Sequence, residues 1–594
     1  MHLAHFVRPL SLACVIACSA LSLRHAPAAE VAARGYTFRV PEGFAVRPVA
    51  EPPLVKYPIC ADFDERGRLY VCESSGTADW NKPQPKETLH RVSRLEDTDG
   101  DGVFDRRTTF AEFEMMAQGS MWLDGSLYVA AAPVIWKLTD DDDDGVAERR
   151  EEWVKTEAVT GCLNDIRGPY LGPDGYIYWC KGPATQTYSL GGKPWTSAAR
   201  HVLRRRPGEA DVDNLLVGGM DNPVEIAFAA DGERFVTCTN FQMLGEPRDD
   251  GILHAVYGAV HPKDIAPVFE YPWTGPDLMP KLVGWGAMSP AGLMCKQSTA
   301  WGAEYRGNLF SALFSGHKIL RHVLDEKGGT VAARDEEFLA CDNVEFHPTD
   351  VLEDADGSLL VIETGGWYLH CCPSSTFYRP DVGGAIYRIV KDDAAPIADP
   401  RGLKLDWASL SAERLTELLG DARPVVRRSA IETIAKQGDG ALAVLRKTIA
   451  TSPSAEARRS AVWAATRIDG AEAEAIVRLA LDDRDDDVRH AALNSVSLRR
   501  DRAAAAQLTK LLADGAPRDR RLAAECLGRI GDRAAVPALL AALQQPADRF
   551  VEHALIYALI EIAAPESTSQ GLASKHAAVR RAAMIALDQM PGGN

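Results

Sequence analysis

Two short acidic segments carry the plainest chemistry in this sequence. Residues 97–105 read DTDGDGVFD and residues 140–148 read DDDDDGVAE. Both fit D-x-D-x-D-G-x-x-[DE], aligning Asp97, Asp99, Asp101 and Asp105 with Asp140, Asp142, Asp144 and Glu148. Alternate carboxylates around a glycine turn converge hard oxygen ligands on one point, as calcium requires. The second segment also has the EF-hand spacing, with Glu151 at the twelfth position where the first has Thr108. Neither is flanked by a helical pattern, and each follows a β-like stretch. The expectation is a structural calcium staple in a β-loop, and the alternative is a solvated acidic turn. A second set offers acid–base chemistry: Asp165, Arg167, Asp221, His347 and Asp350, with His370 beyond them. Carboxylates with an imidazole suffice for proton transfer or a metal site. The plain alternatives are a backbone-satisfied His347, an Asp221 that caps a turn and an Arg167 in a structural ion pair.

These residues are scattered, so only the fold can gather them. Leu171–Cys180, LGPDGYIYWC, reads as a strand end, a Pro-Asp-Gly turn and an alternating aromatic strand, a strong hairpin pattern. The unit recurs around Gly67, Gly125, Gly175, Gly232, Gly307 and Gly357. A third apolar and basic strand follows most copies: VIWKL, HVLRRR, KILRHVL and AIYRIV. Radial repetition of such a unit predicts an all-β six-bladed propeller over residues 30–391. If its loops open on one face, the acid–base set converges on the axial channel.

After a Pro/Asp/Ala linker at 392–402, the composition turns Ala-, Leu- and Arg-rich with helical periodicity. Arg427, Arg458, Arg489 and Arg520 stand 31 residues apart. Glu552 takes the next slot and Arg580 closes the series. Two short helices per repeat predict an all-α HEAT-like solenoid over 403–594, a fold that offers a binding face to a protein partner. Each repeat arginine is expected to pair with an acidic residue of a neighbouring repeat.

The net charge of −17 argues against a nucleic-acid partner. Arg8, the apolar run to Leu23 and the small residues at 26–29 read as a signal peptide over residues 1–29. Val15-Ile16-Ala17-Cys18 also resembles a lipobox, so lipidation at Cys18 is the alternative to simple secretion. No other segment could span a bilayer, so the mature chain is expected in the periplasm or outside the cell. Cys60 and Cys72 lie symmetrically about the turn at Arg66 and could face each other. No C-x-x-C-H occurs, so no c-type haem site is expected.

The runs CLNDIRGPYLGPDGYIYWCKG, GGMDNPVEIAF, WGAMSPAGL, YRGNLFSALFSGHKILRHVL and FHPTDVLEDADGSLLVIETGGWY occur in that order. Together they resemble the PVC-type membrane-bound dehydrogenase family, whose propeller is similar to soluble quinoprotein glucose and sorbosone dehydrogenases. The resemblance implies an exported dehydrogenase-like propeller oxidising a sugar or polyol. It also implies pyrroloquinoline quinone, bound by arginines and a lysine beside a histidine base. Here Asn164 or Asp165 stands at the base position, Asp221 and Ser315 at an arginine and the lysine, and His347 and Thr349 at paired arginines. The competing expectations are a non-catalytic glycan- or protein-binding propeller with a HEAT-repeat arm, and a hydrolase or lyase using the Asp/His set.

Overall fold

The structure, a computed structural model, describes residues 28–77, 82–157, 159, 165–218, 222–241, 249–261, 266–368 and 378–591. Asp221, His370 and the leader with Cys18 lie outside these residues.

Six sheets form a ring, antiparallel except where Ala259–His261 adds in parallel to the edge of blade 3. Blade 1 runs through Pro58–Phe63, Leu69–Glu73, His90–Glu96 and Arg106–Phe113. Blade 2 starts at Ala117–Leu123, blade 3 at Ile166–Leu171, blade 4 at Asn222–Phe228, blade 5 at Pro290–Cys295 and blade 6 at Pro348–Glu353. These inner strands pack side by side around the axis, the sixth against the first. Each of the six recurrent glycines lies in the turn from an inner strand to the second strand. All have positive φ, from +72° at Gly125 to +96° at Gly232, a conformation glycine adopts without a Cβ penalty. Blade 6 takes its outer strand, Phe44–Ala50, from the start of the propeller, where it pairs with Ala385–Lys391. A hairpin of Ala28–Ala33 and Tyr36–Pro41 extends the edge of blade 5.

The acidic segments connect the third and fourth strands of blades 1 and 2, the same loop in neighbouring blades.

The tail forms twelve helices, Ala412–Leu418 to Ala577–Gln589, around one continuous core from Leu415 to Met590. The repeat arginines behave as expected in three repeats. Arg427 pairs with Glu456 at 3.2 Å, Arg458 with Asp483 at 2.7 Å and Arg489 with Asp519 at 3.1 Å, each partner in the next repeat. Arg520 instead donates to the carbonyls of Ala542 and Pro546.

The solenoid lies across the face of the propeller that carries the glycine turns. Trp463 Nε1 donates to the Ala230 carbonyl at 2.9 Å, Arg467 to that of Pro173 at 3.1 Å, and Lys436 pairs with Asp124 at 2.6 Å. The linker is tied down as well: Arg401 donates to the Asp64 carbonyl at 3.2 Å and covers the Phe63 ring. Among the described residues, no helix is long and apolar enough to cross a membrane.

Candidate functional site

Each inner strand breaks its ladder at the same level. The register shifts fall between Pro58 and Cys60, Ala117 and Ser120, Arg167 and Tyr170, Pro223 and Ile226, Pro290 and Leu293, and Pro348 and Asp350. Proline has no N–H to donate, and a bulge re-aims the side chain beside it. The backbones crowd the axis here. A Cβ on Gly119 would lie 2.1 Å from the Gly168 carbonyl oxygen, and one on Gly292 2.6 Å from Asp350 Cα. Where the strands leave room, the ring carries Cys60, Glu225 and Asp350.

Below the ring is an axial chamber of about 500 Å3. Its walls include Asp62, Arg167, Tyr170, Glu225, Thr349 and Asp350. Its floor comes from the solenoid helices Pro424–Lys436 and Ala455–Thr466, with Arg427, Arg428, Glu456, Arg459, Trp463 and Arg467. Two of the wall carboxylates also tie blades together. Asp350 accepts from the backbone N–H of Ala61 at 3.0 Å, and Asp62 from that of Trp122 at 2.7 Å. Glu225 accepts from the Leu293 amide. Burial pushes the Asp350 carboxyl up to about 7. Burial first, and the Asp350 charge second, hold Glu225 well above the usual carboxylate range. Burial also raises Asp62. Arg167 acts on Glu225 through space but, among the described residues, makes no hydrogen bond or ion pair, and its buried Nε has no partner there. Carboxyls that burial shifts toward the protonated form, beside a guanidinium with no carboxylate at ion-pair distance among the described residues, can hold and move a proton on a bound hydroxyl.

Of the expected acid–base set, the structure brings Arg167 and Asp350 into the chamber and leaves Asp165 and His347 out of its lining. Asp165 is fully buried and accepts from the Ala184 amide at 3.1 Å, fixing the segment after the second strand of blade 3. His347 stacks on Phe314 at 4.5 Å, and its Nδ1 bonds the Gly365 carbonyl at 3.0 Å. Burial lowers its pKa to about 4, so it is a neutral packing group at pH 7. Glu225 and Asp62 were missed. The cue was available for one of them, because Pro223-Val-Glu225 repeats the pattern of Pro348-Thr-Asp350.

Pyrroloquinoline quinone is an acidic tricarboxylate and wants cations around it. At the positions the resemblance assigns to its ligands, the described residues are buried Asp165, Ser315, stacked His347 and Thr349. These do not fit the group. Cys60 and Cys72 do face each other across the ladder as expected, both as free thiols.

The second acidic loop gathers all four of its expected ligands, Asp140, Asp142, Asp144 and Glu148, with oxygens within 4.8 Å of one another. The first gathers Asp97, Asp99 and Asp101. Asp105 is the exception, because its carboxylate turns back to accept from Thr98 N–H and Oγ1. Asp140 is 4% exposed and its Oδ1 has no hydrogen-bond partner, an acceptor suited to a cation.

The tail matches a HEAT-repeat family over residues 412–497 and 473–560. No curated protein matches the chain. Among solved structures, the chain is similar to an oxidoreductase described as glucose dehydrogenase from Thermus thermophilus, at 20% identity over 59% of this chain and 100% of that one, with a TM-score of 0.40. It is also similar to the holo PQQ domain of pyranose dehydrogenase from Coprinopsis cinerea, at 12% identity over 60% and 97%, with a TM-score of 0.41. A designed armadillo repeat protein is similar at 18% identity over 30% and 100%, with a TM-score of 0.21. The model of the family named Domain of unknown function (DUF7133) matches residues 32–368, more than half of the chain, and the protein belongs to that family.

Proposed function

We propose that the protein is an exported sugar- or polyol-binding propeller with the axial chamber as its ligand site. The observation that carries the reading is the chamber wall: the Arg167 guanidinium, which among the described residues has no carboxylate at ion-pair distance, beside Glu225 and Asp350, whose carboxyls burial shifts toward the protonated form. Neutral and charged acceptors alternating with donors suit a hydroxyl-rich ligand, and the volume is in the range of small-molecule sites. Titration calorimetry of the purified full chain against aldoses and polyols tests this. Binding that Arg167→Met weakens supports it, and no heat with any member of the panel sinks it.

The same wall favours oxidation of the ligand as a second reading. Glu225 or Asp350, once ionised, would take a hydroxyl proton, with Arg167 steadying the oxyanion. The carbon-bound hydrogen would leave as a hydride, carrying the two electrons to a quinone or dye supplied from solution. Dye reduction over the same panel, with and without added pyrroloquinoline quinone, separates the readings. Turnover lost in Glu225→Gln supports oxidation, while binding without turnover leaves a binding protein. A protein partner, if the solenoid takes one, would use its outer helices, because the inner ones face the propeller.

Calcium at the two acidic loops would staple the outer strands of blades 1 and 2. A cation present at 100 times its dissociation constant stabilises the fold by about 2.7 kcal/mol. Chelation should therefore lower the melting temperature by several degrees, and Asp142→Asn should blunt that response. A melting temperature indifferent to calcium would make the loops solvated turns.

A further inference from the structure

We propose that the ligand of the axial chamber carries an acidic group, a carboxylate or a sulfate, which the solenoid floor holds through Arg428 and Arg467. This rests on the chamber being the ligand site. The argument comes from which charges in the chamber are already matched. Glu456, the floor's own carboxylate, is taken by Arg427 at 3.2 Å, Arg459 at 2.6 Å and Arg306. On the walls, Glu353 is held by Lys296 at 2.8 Å and Asp354 by Arg388 at 2.7 Å. Three guanidiniums are left without an ion pair, beside three wall carboxyls, Asp62, Glu225 and Asp350, that burial shifts toward the neutral form. Arg167 stands at the ring, and Arg428 and Arg467 stand at the floor. Among the described residues, none of the three has a carboxylate within ion-pair distance. Glu432, one helical turn beyond Arg428, could have paired with it but does not.

The two floor arginines are held differently. Arg467 is anchored by one hydrogen bond to the Pro173 carbonyl and packs on the Gly175 turn, and its buried Nε is unpartnered. Arg428 is exposed and makes no protein contact that would fix its guanidinium, yet it acts through space on both Asp62 and Arg467. Glu432, Asp174 and Asp124 act on Arg467 through space more strongly than Arg428 does, but none is at ion-pair distance, so an oxyanion between the two guanidiniums would still meet paired donors. The ring carboxyls cannot serve as that anion. Arg167 lies toward the ring end of the inner strand of blade 3, and Pro173 lies beyond its other end, where Arg467 of the floor meets it. A ligand spanning the chamber would present its acidic group to the solenoid and its hydroxyls to Glu225 and Asp350. The solenoid would then select the ligand rather than merely cover the channel.

Calorimetry on the full chain with glucose, glucuronate and glucose 6-sulfate tests this, with Arg428→Met as the main variant. A charge-assisted contact predicts at least about tenfold tighter binding of an acidic sugar than of glucose. Glucuronate and the sulfate ester tell the two oxyanions apart. Arg428→Met should remove that advantage, so that acidic sugars bind no better than glucose to the variant, with the melting temperature as it was. Arg467→Lys, which keeps a charge but loses the fork, should remove part of it. If glucose binds as tightly as both acids, the acidic-ligand inference fails and the chamber reading survives. If acidic sugars bind better but equally well to Arg428→Met, the floor assignment fails. If no sugar binds to the wild-type chain, both fall together.

Discussion

The solenoid meets the propeller in two ways. Over blades 3 and 4 the buried carboxylates are paired across the contact. Glu233, fully buried, receives His254 at 2.5 Å, Arg518 at 3.1 Å and Arg521, while Asp231 receives Arg518 and lies 3.6 Å from His490. Asn494 donates to the Asp231 carbonyl, and Arg529 meets Asp213 at 2.9 Å. Over the axis the same kind of helix surface bridges a chamber, and among the described residues it leaves Arg428 and Arg467 without a carboxylate at ion-pair distance. The contrast is sharpest at one repeat position, the residue after each repeat arginine. Arg459 has Glu456 and Asp487, His490 has Asp231 and Asp519, and Arg521 has Glu233. Arg428 has none. Burying a charge is costly unless it is paired, so adhesion alone accounts for the matched positions. Arg428 is exposed, bears no such cost, and is left available to a ligand.

The largest effect should come from breaking the matched contact. Arg521→Met leaves Glu233 with a smaller share of positive charge in a fully buried site. Removing one partner of a buried pair costs about 3–5 kcal/mol, and the solenoid should loosen from the propeller. Thermal unfolding followed by limited proteolysis of the linker region would show it. A variant that melts and resists cleavage like the wild type would mean that blade 4 is not what holds the two halves together.

The next effect belongs to the chamber wall and depends on pH. Burial and Asp350 hold the Glu225 carboxyl well above its ordinary value. The folded chain therefore keeps a proton that the unfolded chain has released, and stability falls as pH rises above about 4.3, the usual Glu value. Asp350, pushed up to about 7, extends that fall toward neutrality. Glu225→Gln, which mimics the protonated side chain, should raise the melting temperature at pH 8 and change it little near pH 4. Equal shifts at both values would mean that the pair does not share its protons in the way the burial implies.

The two surfaces also differ in how far the sequence discloses them. The propeller is legible because each blade repeats a local requirement: a glycine at positive φ between an inner strand and its neighbour, as at Gly175 and Gly232. The solenoid is legible because helix pairs impose a fixed period on Arg427, Arg458, Arg489 and Arg520. The acidic loops are legible for the same local reason, except Asp105, whose carboxylate found a nearer donor in Thr98. The chamber is not local. Its carboxylates sit on different blades and are aimed inward by bulges that leave little trace in a hydrophobic pattern. Its floor belongs to another fold altogether. His347 illustrates the opposite error: a histidine at a strand start next to a proline reads as available, whereas the ring of Phe314 and the Gly365 carbonyl absorb it.

The smallest expected effect is the most informative. Arg459 and Arg428 occupy the same slot in consecutive repeats, so a change to methionine removes the same groups from the same helix face. Arg459→Met strips a partner from Glu456 and Asp487 and should cost about 1–3 kcal/mol, the range for a buried polar group left unsatisfied. Arg428→Met strips a partner from nothing. Its effect on unfolding should stay within about 0.5 kcal/mol, as for ordinary surface changes, measured by denaturant titration in the absence of sugars and with sulfate-free buffer. A loss for Arg428→Met as large as that for Arg459→Met would mean that Arg428 is a structural cation like its neighbours, and the floor of the chamber would need no ligand to explain it. If Arg428→Met is silent and Arg459→Met is not, the repeat has kept a charge at the axis that the fold itself does not use.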